Sequence, residues 1–200
     1  MSKRKVAMQK IAGLCGIVGP LIAISSIALA ISYSLSWFSW TENALSDLGA
    51  KGTAVALFNY GLIIGGLLSI IFAVGLMRVL WKSILGYVGT FILILADASL
   101  VAVGVFPETA GPIHAYVSVV FFTLLPISLL FIGASMIKGK SERNFSFATM
   151  LIGAFAAASM ATVIFIPMKG VAIPEILASL SGSAWSIVCG IKLYKQHILS

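Results

Sequence analysis

Charged residues are scarce in this sequence, and their scarcity excludes a soluble protein. Only 10% of the 200 residues are charged, whereas 60% are hydrophobic, and soluble domains carry about 25% charged residues. A chain with so little charge cannot cover a water-exposed surface, so most of its surface must face lipid. No hydrophilic segment is long enough for a separate soluble domain, which predicts a single transmembrane domain over residues 1–200.

Six apolar runs occupy most of the chain, at about residues 9–36, 56–80, 84–106, 113–137, 146–167 and 171–193. Each run is at least as long as the roughly 20 residues that a helix needs to cross a bilayer. Barrel strands would alternate apolar and polar residues, and the run from Ile63 to Met77 does not alternate. The sequence therefore predicts an all-α integral membrane protein, a compact bundle of six transmembrane helices.

Lysine and arginine residues predict the orientation of the bundle, because they concentrate in cytoplasmic loops. Of the 13 basic residues, only Lys51 and Lys169 fall at one end of the predicted bundle, and all the others fall at the opposite end. Both termini are therefore predicted to be cytoplasmic, in a multi-pass protein of the cell membrane. The net charge of +7 follows from this topology and favours anionic headgroups, so membrane lipids, and no nucleic acid, are the predicted partners.

The first apolar run has a second interpretation, as a signal peptide. Lysines precede it, and the segment Ala28-Leu29-Ala30 resembles an A-x-A cleavage site. Apolar residues continue beyond that site through Leu35 and Phe38, which favours a retained helix.

Cysteine and histidine are too few for most metal centres. Cys15 and Cys189 are isolated and lack the spacing of a zinc site, and the reducing cytoplasmic side argues against a disulfide between them. The two histidines are His114 and His197 in the C-terminal tail, so a three-histidine zinc centre is excluded. We expect no metal and no cofactor.

Small residues recur every four positions on three of the predicted helices. They are Gly61, Gly65, Ser69 and Ala73 on the second, Gly153, Ala157 and Ala161 on the fifth, and Gly182, Ser186 and Gly190 on the sixth. Such faces allow membrane helices to approach closely. They predict a tightly packed bundle. A homo-oligomer that forms through these faces stays an open alternative.

Asp97 is the acid that lies deep inside an apolar run, the third. It lies ten residues before Pro107, or roughly 15 Å along the helix axis, within the hydrocarbon region. A charged residue at the centre of a membrane helix costs about 2.5–3.5 kcal/mol, so Asp97 must face the bundle. It is interpreted either as a proton, ion or catalytic site, or as a buried hydrogen-bonding residue that only holds helices together.

Most other polar groups cluster at the predicted outer ends of the helices. The segment "GVFPETAGPIHAY" carries Glu108 and His114 on a turn stiffened by two prolines, and Ser118 lies one helical turn below His114. A similar turn before the sixth run carries Glu175. A histidine, carboxylates and a hydroxyl around one cavity suit general acid–base catalysis, or the binding of a phosphate or sugar headgroup.

The first outer loop, "SWTENALSDLGAKG", predicts a short interfacial helix that covers this outer site. Thr41 is a candidate N-cap, and Gly49 suits the position after the helix end. Glu42, Asn43 and Asp47 would form its polar face.

Several of these motifs together resemble a known family. "ENALSDLG", "LFNYG" and "GVFPE", followed by a histidine ahead of "FF", resemble the domain-of-unknown-function family nine-nine-eight of six-helix membrane proteins. The resemblance implies motif positions at Ser46, Asp47, Gly49, Asn59, Pro107 and His114, without roles for them. A fainter similarity to the Frag/DRAM/Sfk superfamily, in the "SDxG" element and the histidine before paired phenylalanines, implies a connection with membrane lipids by analogy only.

Three functions remain open at this point. The first is a protein that binds a lipid or lipid-like ligand in an outer polar cavity. The alternatives are an enzyme acting on a lipid or lipid-linked substrate, and a small proton- or cation-coupled transporter that uses Asp97. The candidate ligand-binding residues are His114, Asp97, Glu108, Asp47, Asn59, Glu175 and Ser118.

Overall fold

The computed structural model describes residues 3–137, 139 and 142–196, and contains helices but no strand in those ranges. Its six long helices are α1 (Lys3–Ser32), α2 (Val55–Leu80), α3 (Ile84–Val105), α4 (Pro112–Met136), α5 (Arg143–Phe165) and α6 (Ala172–Tyr194). Two short 3-10 helices lie in the loops, Leu45–Gly49, here called the cover helix, and Glu108–Ala110, here called the turn helix. The predicted six-helix bundle with a short helix in its first long loop is confirmed.

Each of the six long helices is long and apolar enough to cross a membrane. The shortest, α3, has 22 residues, or about 33 Å at 1.5 Å per residue, which matches a hydrocarbon core of about 30 Å. The chain is therefore a multi-pass membrane protein. Helix α1 ends at Ser32 rather than near residue 36, because Ser34 N–H bonds to the carbonyl of Ile31 at 2.9 Å, the tightened turn that closes many helices.

The six helices form a closed ring in chain order. Each packs mainly against the helices before and after it, and α6 closes the ring against α1. Helix α4 also touches α6, so α5 lies outside the ring interior, and its span is the least buried of the six at 22%. Helix α5 still reaches the core through Thr149, whose hydroxyl accepts from Nε1 of the buried Trp185 at 3.1 Å.

Helix α1 approaches its two neighbours most closely at small residues. A Cβ atom on Gly65 would lie 3.0 Å from the carbonyl oxygen of Gly19, and one on Gly190 would lie 2.7 Å from that of Gly13. A larger side chain at either position would push the helices apart, so the small faces of α2 and α6 serve packing within the bundle. Ala157 of α5 is exposed, and the homo-oligomer stays a prediction.

The two ends of the ring differ in the loops that they carry. At the basic end, which has residues 81–83, 137, 139 and 142, the start of α1 and the end of α6, the Lys10 ammonium lies 5.7 Å from the ring centre of Tyr194. The opposite end, the cover end, carries residues 33–54, 106–111 and 166–171. A cytoplasmic basic end stays a prediction, and two of its lysines, Lys138 and Lys140, lie outside the described residues.

Candidate functional site

The cover helix is fastened to the ring by two of the predicted ligand-binding residues. The Leu45 N–H donates to Oε2 of Glu175 in α6 at 2.7 Å, and Nδ2 of Asn59 in α2 donates to the carbonyl of Gly49 at 3.0 Å. Leu48, between these two points, is fully buried. Glu175 and Asn59 therefore hold the cover in place.

Asp47 organises the start of the cover helix. Its Oδ2 accepts hydrogen bonds from Nδ2 of Asn43 at 2.7 Å and from the Ala44 N–H at 3.1 Å, and Lys51 Nζ lies 3.4 Å from its Oδ1. Ala44 occupies the N-cap position, and Thr41 does not, contrary to the expectation from the sequence. Asp47 is the third residue after the N-cap, and its carboxylate accepts from the N-cap amide, which is the N3 half of a capping box.

Asp47 and Glu108 interact where the cover helix meets the turn helix. Burial raises the pKa of Asp47, but the hydrogen bonds from Asn43 and the Ala44 amide, the neighbouring Glu108 carboxyl and the charge of Lys51 outweigh it, so the pKa is lowered overall. Burial also raises the pKa of Glu108, and the Asp47 carboxylate raises it further, although His114 and Lys51 oppose the rise. Glu108 is therefore the member of the pair that takes up a proton first as the pH falls.

His114 uses both of its ring nitrogens in local hydrogen bonds. Its Nδ1 lies 2.7 Å from the carbonyl of Phe106, and its Nε2 lies 3.3 Å from the hydroxyl of Ser118. A carbonyl only accepts, so Nδ1 carries a proton and donates to Phe106, and Nε2 pairs with the Ser118 hydroxyl. The imidazole spans the turn between α3 and α4, and neither nitrogen faces a free reaction partner.

An upper cavity lies directly beneath the cover helix. Its volume is about 40 Å³, and its polar lining consists of Ser46, Ser118, Glu175 and Ser179. The rest of its wall is apolar, including Phe121. The residues around the cover therefore enclose space and do not fill it completely.

A lower cavity of about 70 Å³ lies deeper in the ring, and Asp97 is its one titratable lining residue. Asp97 is 6% exposed, and its Oδ2 atom is buried without a hydrogen-bond partner among the described residues. The polar groups that share this cavity are the hydroxyls of Ser69, Ser179, Ser183 and Ser186. An unpartnered buried carboxylate oxygen is rare in folded proteins, so this arrangement points to a ligand or to water.

Proline explains the hydrogen bonding at one side of the lower cavity. Pro20 lies inside α1 and has no N–H, so the carbonyl of Gly16 loses its partner within the helix. Ser186 of α6 donates its hydroxyl to that carbonyl at 3.0 Å. Ser186 therefore has a structural role, whereas Ser69, Ser179 and Ser183 make no side-chain hydrogen bond to the residues that the structure describes.

The structure divides the predicted site residues into two groups. Asp47, Glu108, His114, Ser118 and Glu175 come together at the cover end, and Asn59 joins them through the cover helix. Asp97 lies apart from them, in the lower cavity.

The sequence analysis missed the serines that share the lower cavity with Asp97. Ser179 and Ser183 follow Glu175 at intervals of four, and that polar row on an apolar helix was the signal available. Within the described residues, no three His, Cys, Asp or Glu side chains are arranged to hold a metal ion.

Comparison with known proteins assigns a family but no activity. The sequence profile of the family described as "Protein of unknown function (DUF998)" matches residues 17–192. No curated protein and no solved structure matches the chain significantly. The similarity to the Frag/DRAM/Sfk superfamily stays a prediction.

Proposed function

We propose a function for this chain, which belongs to the DUF998 family of unknown function, from its geometry alone. The protein binds a proton or a monovalent cation at Asp97, and uses that site in transport across the membrane. The observation that carries this proposal is the unpartnered Oδ2 of Asp97, which faces a cavity inside a membrane-spanning bundle.

The charge at Asp97 supports a singly charged ligand. An ionised carboxylate near the centre of a membrane helix costs about 2.5–3.5 kcal/mol, and a single positive charge cancels it. Asp97 is the one titratable group in the lining of the lower cavity, so a divalent ion would leave an uncompensated positive charge. Divalent ions in proteins are usually held by several oxygen ligands, including more than one carboxylate.

The volume of the lower cavity also favours a small ligand. The volume of about 70 Å³ exceeds the roughly 10–15 Å³ that a single water needs and is about half of a cavity that holds benzene. A proton on Asp97 with a few waters, or a partly hydrated cation, suits this space. A lipid headgroup or chain would require the helices to separate, so lipid binding remains a second proposal for the cover end with less support.

The cavities near Asp97 support a role in transport rather than a purely structural role for this residue. The upper and lower cavities share Ile27, Leu62, Leu100, Phe121 and Ser179 in their walls, so the upper cavity adjoins the lower one on its cover side. Below the lower cavity, the ring is filled by side chains that are at most 2% exposed, including Leu80, Ile132 and Met136. Cavities on the cover side and a filled core on the basic side support a site reached from the cover end, as in one state of alternating access.

The enzyme alternative receives less support from the geometry. His114 is the strongest acid–base candidate in the sequence, and both of its nitrogens are engaged within the turn. Asp97 has no nucleophile beside it other than serine hydroxyls.

Ion flux through purified protein in liposomes tests the proposal. An imposed pH, sodium or potassium gradient should dissipate faster with the wild-type protein than in empty liposomes. Asp97→Asn keeps the shape of the side chain but removes its charge, and should reduce this flux by about tenfold or more, a loss of about 1.4 kcal/mol in binding.

Glu42→Gln is the matched control, because Glu42 is exposed and pairs with Lys169 away from both cavities. Its flux should equal that of the wild type. Equal flux with wild-type protein and Asp97→Asn, or no flux of any of the three cations, would refute the proposal.

A further inference from the structure

Helix α6 carries a polar row that leads from the cover end into the ring. Glu175, Ser179 and Ser183 are spaced four residues apart and so lie on one face of the helix. The row covers about 12 Å along the helix axis. Its upper end, Glu175, meets the cover helix through the Leu45 N–H.

Ser179 is the polar residue that lines both cavities. It lines the upper cavity together with Glu175, and the lower cavity together with Ser183 and Asp97. Within the described residues, the hydroxyls of Ser179 and Ser183 have no side-chain hydrogen bond, so they are free to solvate a ligand. The row ends at Ser186, whose hydroxyl already bonds to the carbonyl of Gly16.

The charges along the two cavities have one sign. Glu175 lies in the upper cavity and Asp97 in the lower, and no Lys, Arg or His of the described residues lines either one. The nearest basic side chain of the cover helix region, Lys51, pairs with Asp47 and lines neither cavity. The path between the two carboxylates is therefore suited to cations and unfavourable for anions.

We propose that this row is the path by which a cation reaches Asp97 from the cover end. Glu175 is its first ligand, Ser179 passes it between the cavities, and Ser183 brings it beside Asp97. The identity of the cation rests on the function proposed above, whereas the path itself does not require transport.

Silver ions test the path, because they are small monovalent cations and react with thiols. Cys15 and Cys189 are first replaced with alanine, and Ser179→Cys, Ser183→Cys or Ser181→Cys is added. Each thiol reacts as R–SH with Ag⁺ to give R–S–Ag and H⁺, and intact-mass spectrometry of protein in lipid nanodiscs follows the reaction. Ser181 is the matched control, since it lies on the same helix, lines neither cavity and bonds to the carbonyl of Ala178.

The order of the reaction rates gives the direction of access. We expect Ser179→Cys to react fastest, Ser183→Cys more slowly and Ser181→Cys slowest. Adding Glu175→Gln should slow the reaction at Ser179→Cys by about tenfold or more, because a charge at the mouth of a cleft raises the local cation concentration. Thermal denaturation of each variant shows that its fold is retained.

Two results would overturn the path. One is a Ser179→Cys reaction no faster than that of Ser181→Cys, and the other is a faster reaction at Ser183→Cys, which would indicate access from the basic end. The liposome experiment tests transport independently of the silver experiment, which tests the path. The expected silver rates without any flux would keep the path and reject transport, and flux without these rates would keep Asp97 and reject the path.

Discussion

The two ends of the ring treat buried charge in opposite ways. At the basic end, Glu142 is 3% exposed, and its carboxylate lies 3.1 Å from Nζ of Lys192, which also lies 5.0 Å from the ring centre of Phe145. Towards the cover end, Asp97 is comparably buried, and its Oδ2 has no hydrogen-bond partner among the described residues. One buried acid is neutralised by a lysine of the chain, and the other has no basic side chain in the described lining of its cavity.

The packing near these two acids also differs, because the ring is filled towards Glu142 and contains cavities near Asp97. Between the lower cavity and the basic end, the ring is filled by large apolar side chains such as Leu76, Leu129 and Leu193, which are at most 1% exposed. The two cavities both lie on the cover side of that core. The comparison indicates that the basic half of the ring provides stability, and that the cover half provides the site.

The largest effect is expected from breaking the buried ion pair at the basic end. Lys192→Met leaves the Glu142 carboxylate buried without a charged partner, which typically costs about 3–5 kcal/mol. We expect the midpoint of thermal unfolding in detergent to fall steeply. The double variant Lys192→Met with Glu142→Gln should recover much of the loss, because no unpaired charge then remains.

The exposed ion pair at the cover end is the control for that effect. The side chains of Lys169 and Glu42 are 79% and 57% exposed, and exposed pairs contribute at most about 1 kcal/mol. Lys169→Met should therefore leave the midpoint almost unchanged. Equal losses in Lys169→Met and Lys192→Met would contradict the assignment of stability to the basic half.

The second largest effect is expected from Asp97→Asn, which should stabilise the protein. Removing an unpartnered charge from the hydrocarbon region should raise the free energy of unfolding of Asp97→Asn by about 1–3 kcal/mol. Asp47→Asn should do the opposite and lose about 1 kcal/mol, because Asp47 accepts the hydrogen bonds that start the cover helix. Thermal unfolding of both variants at neutral pH compares them directly, and shifts in the same direction would contradict the contrast.

The sequence predicted the spans well because apolar length is a strong signal in membrane proteins, whereas the site depends on side-chain geometry. Asp97 was identified because one acid among apolar residues stands out. His114 was expected to be available for a ligand, but its two hydrogen bonds depend on where Phe106 and Ser118 lie after folding. The free serines of α6 were missed because serine is common in membrane helices and most of its hydroxyls bond to the backbone.

The third effect is local to the cover helix and should appear when that helix is released from α6. Glu175→Ala leaves the buried Leu45 N–H without its acceptor, which costs about 1–3 kcal/mol. Amide hydrogen exchange over residues 45–50 should then accelerate about tenfold, the change that roughly 1.4 kcal/mol produces. Glu175→Gln keeps an acceptor oxygen and should accelerate exchange much less. Equal exchange in all three proteins would mean that the cover is held elsewhere.

The smallest effect separates Asp47 and Glu108 by the pH dependence of stability. The pKa of Glu108 is raised in the folded protein from its ordinary 4.5, so its ionisation disfavours folding above the raised pKa. Glu108→Gln should therefore stabilise the protein at neutral pH, by less than about 1 kcal/mol because the group is partly exposed. This gain should shrink as the pH falls through the raised pKa and vanish below 4.5.

Asp47→Asn should show the opposite sign in the same titration. The pKa of Asp47 is lowered from its ordinary 3.8, so its ionised form stabilises the fold above that value, and this stabilisation is lost as the pH falls through the lowered pKa. The loss in Asp47→Asn should therefore be full at neutral pH and shrink only below 3.8. Thermal unfolding of the two variants across this pH range distinguishes the groups. A gain in Asp47→Asn, or a Glu108→Gln gain that persists below 4.5, would contradict the unequal sharing of the proton between them.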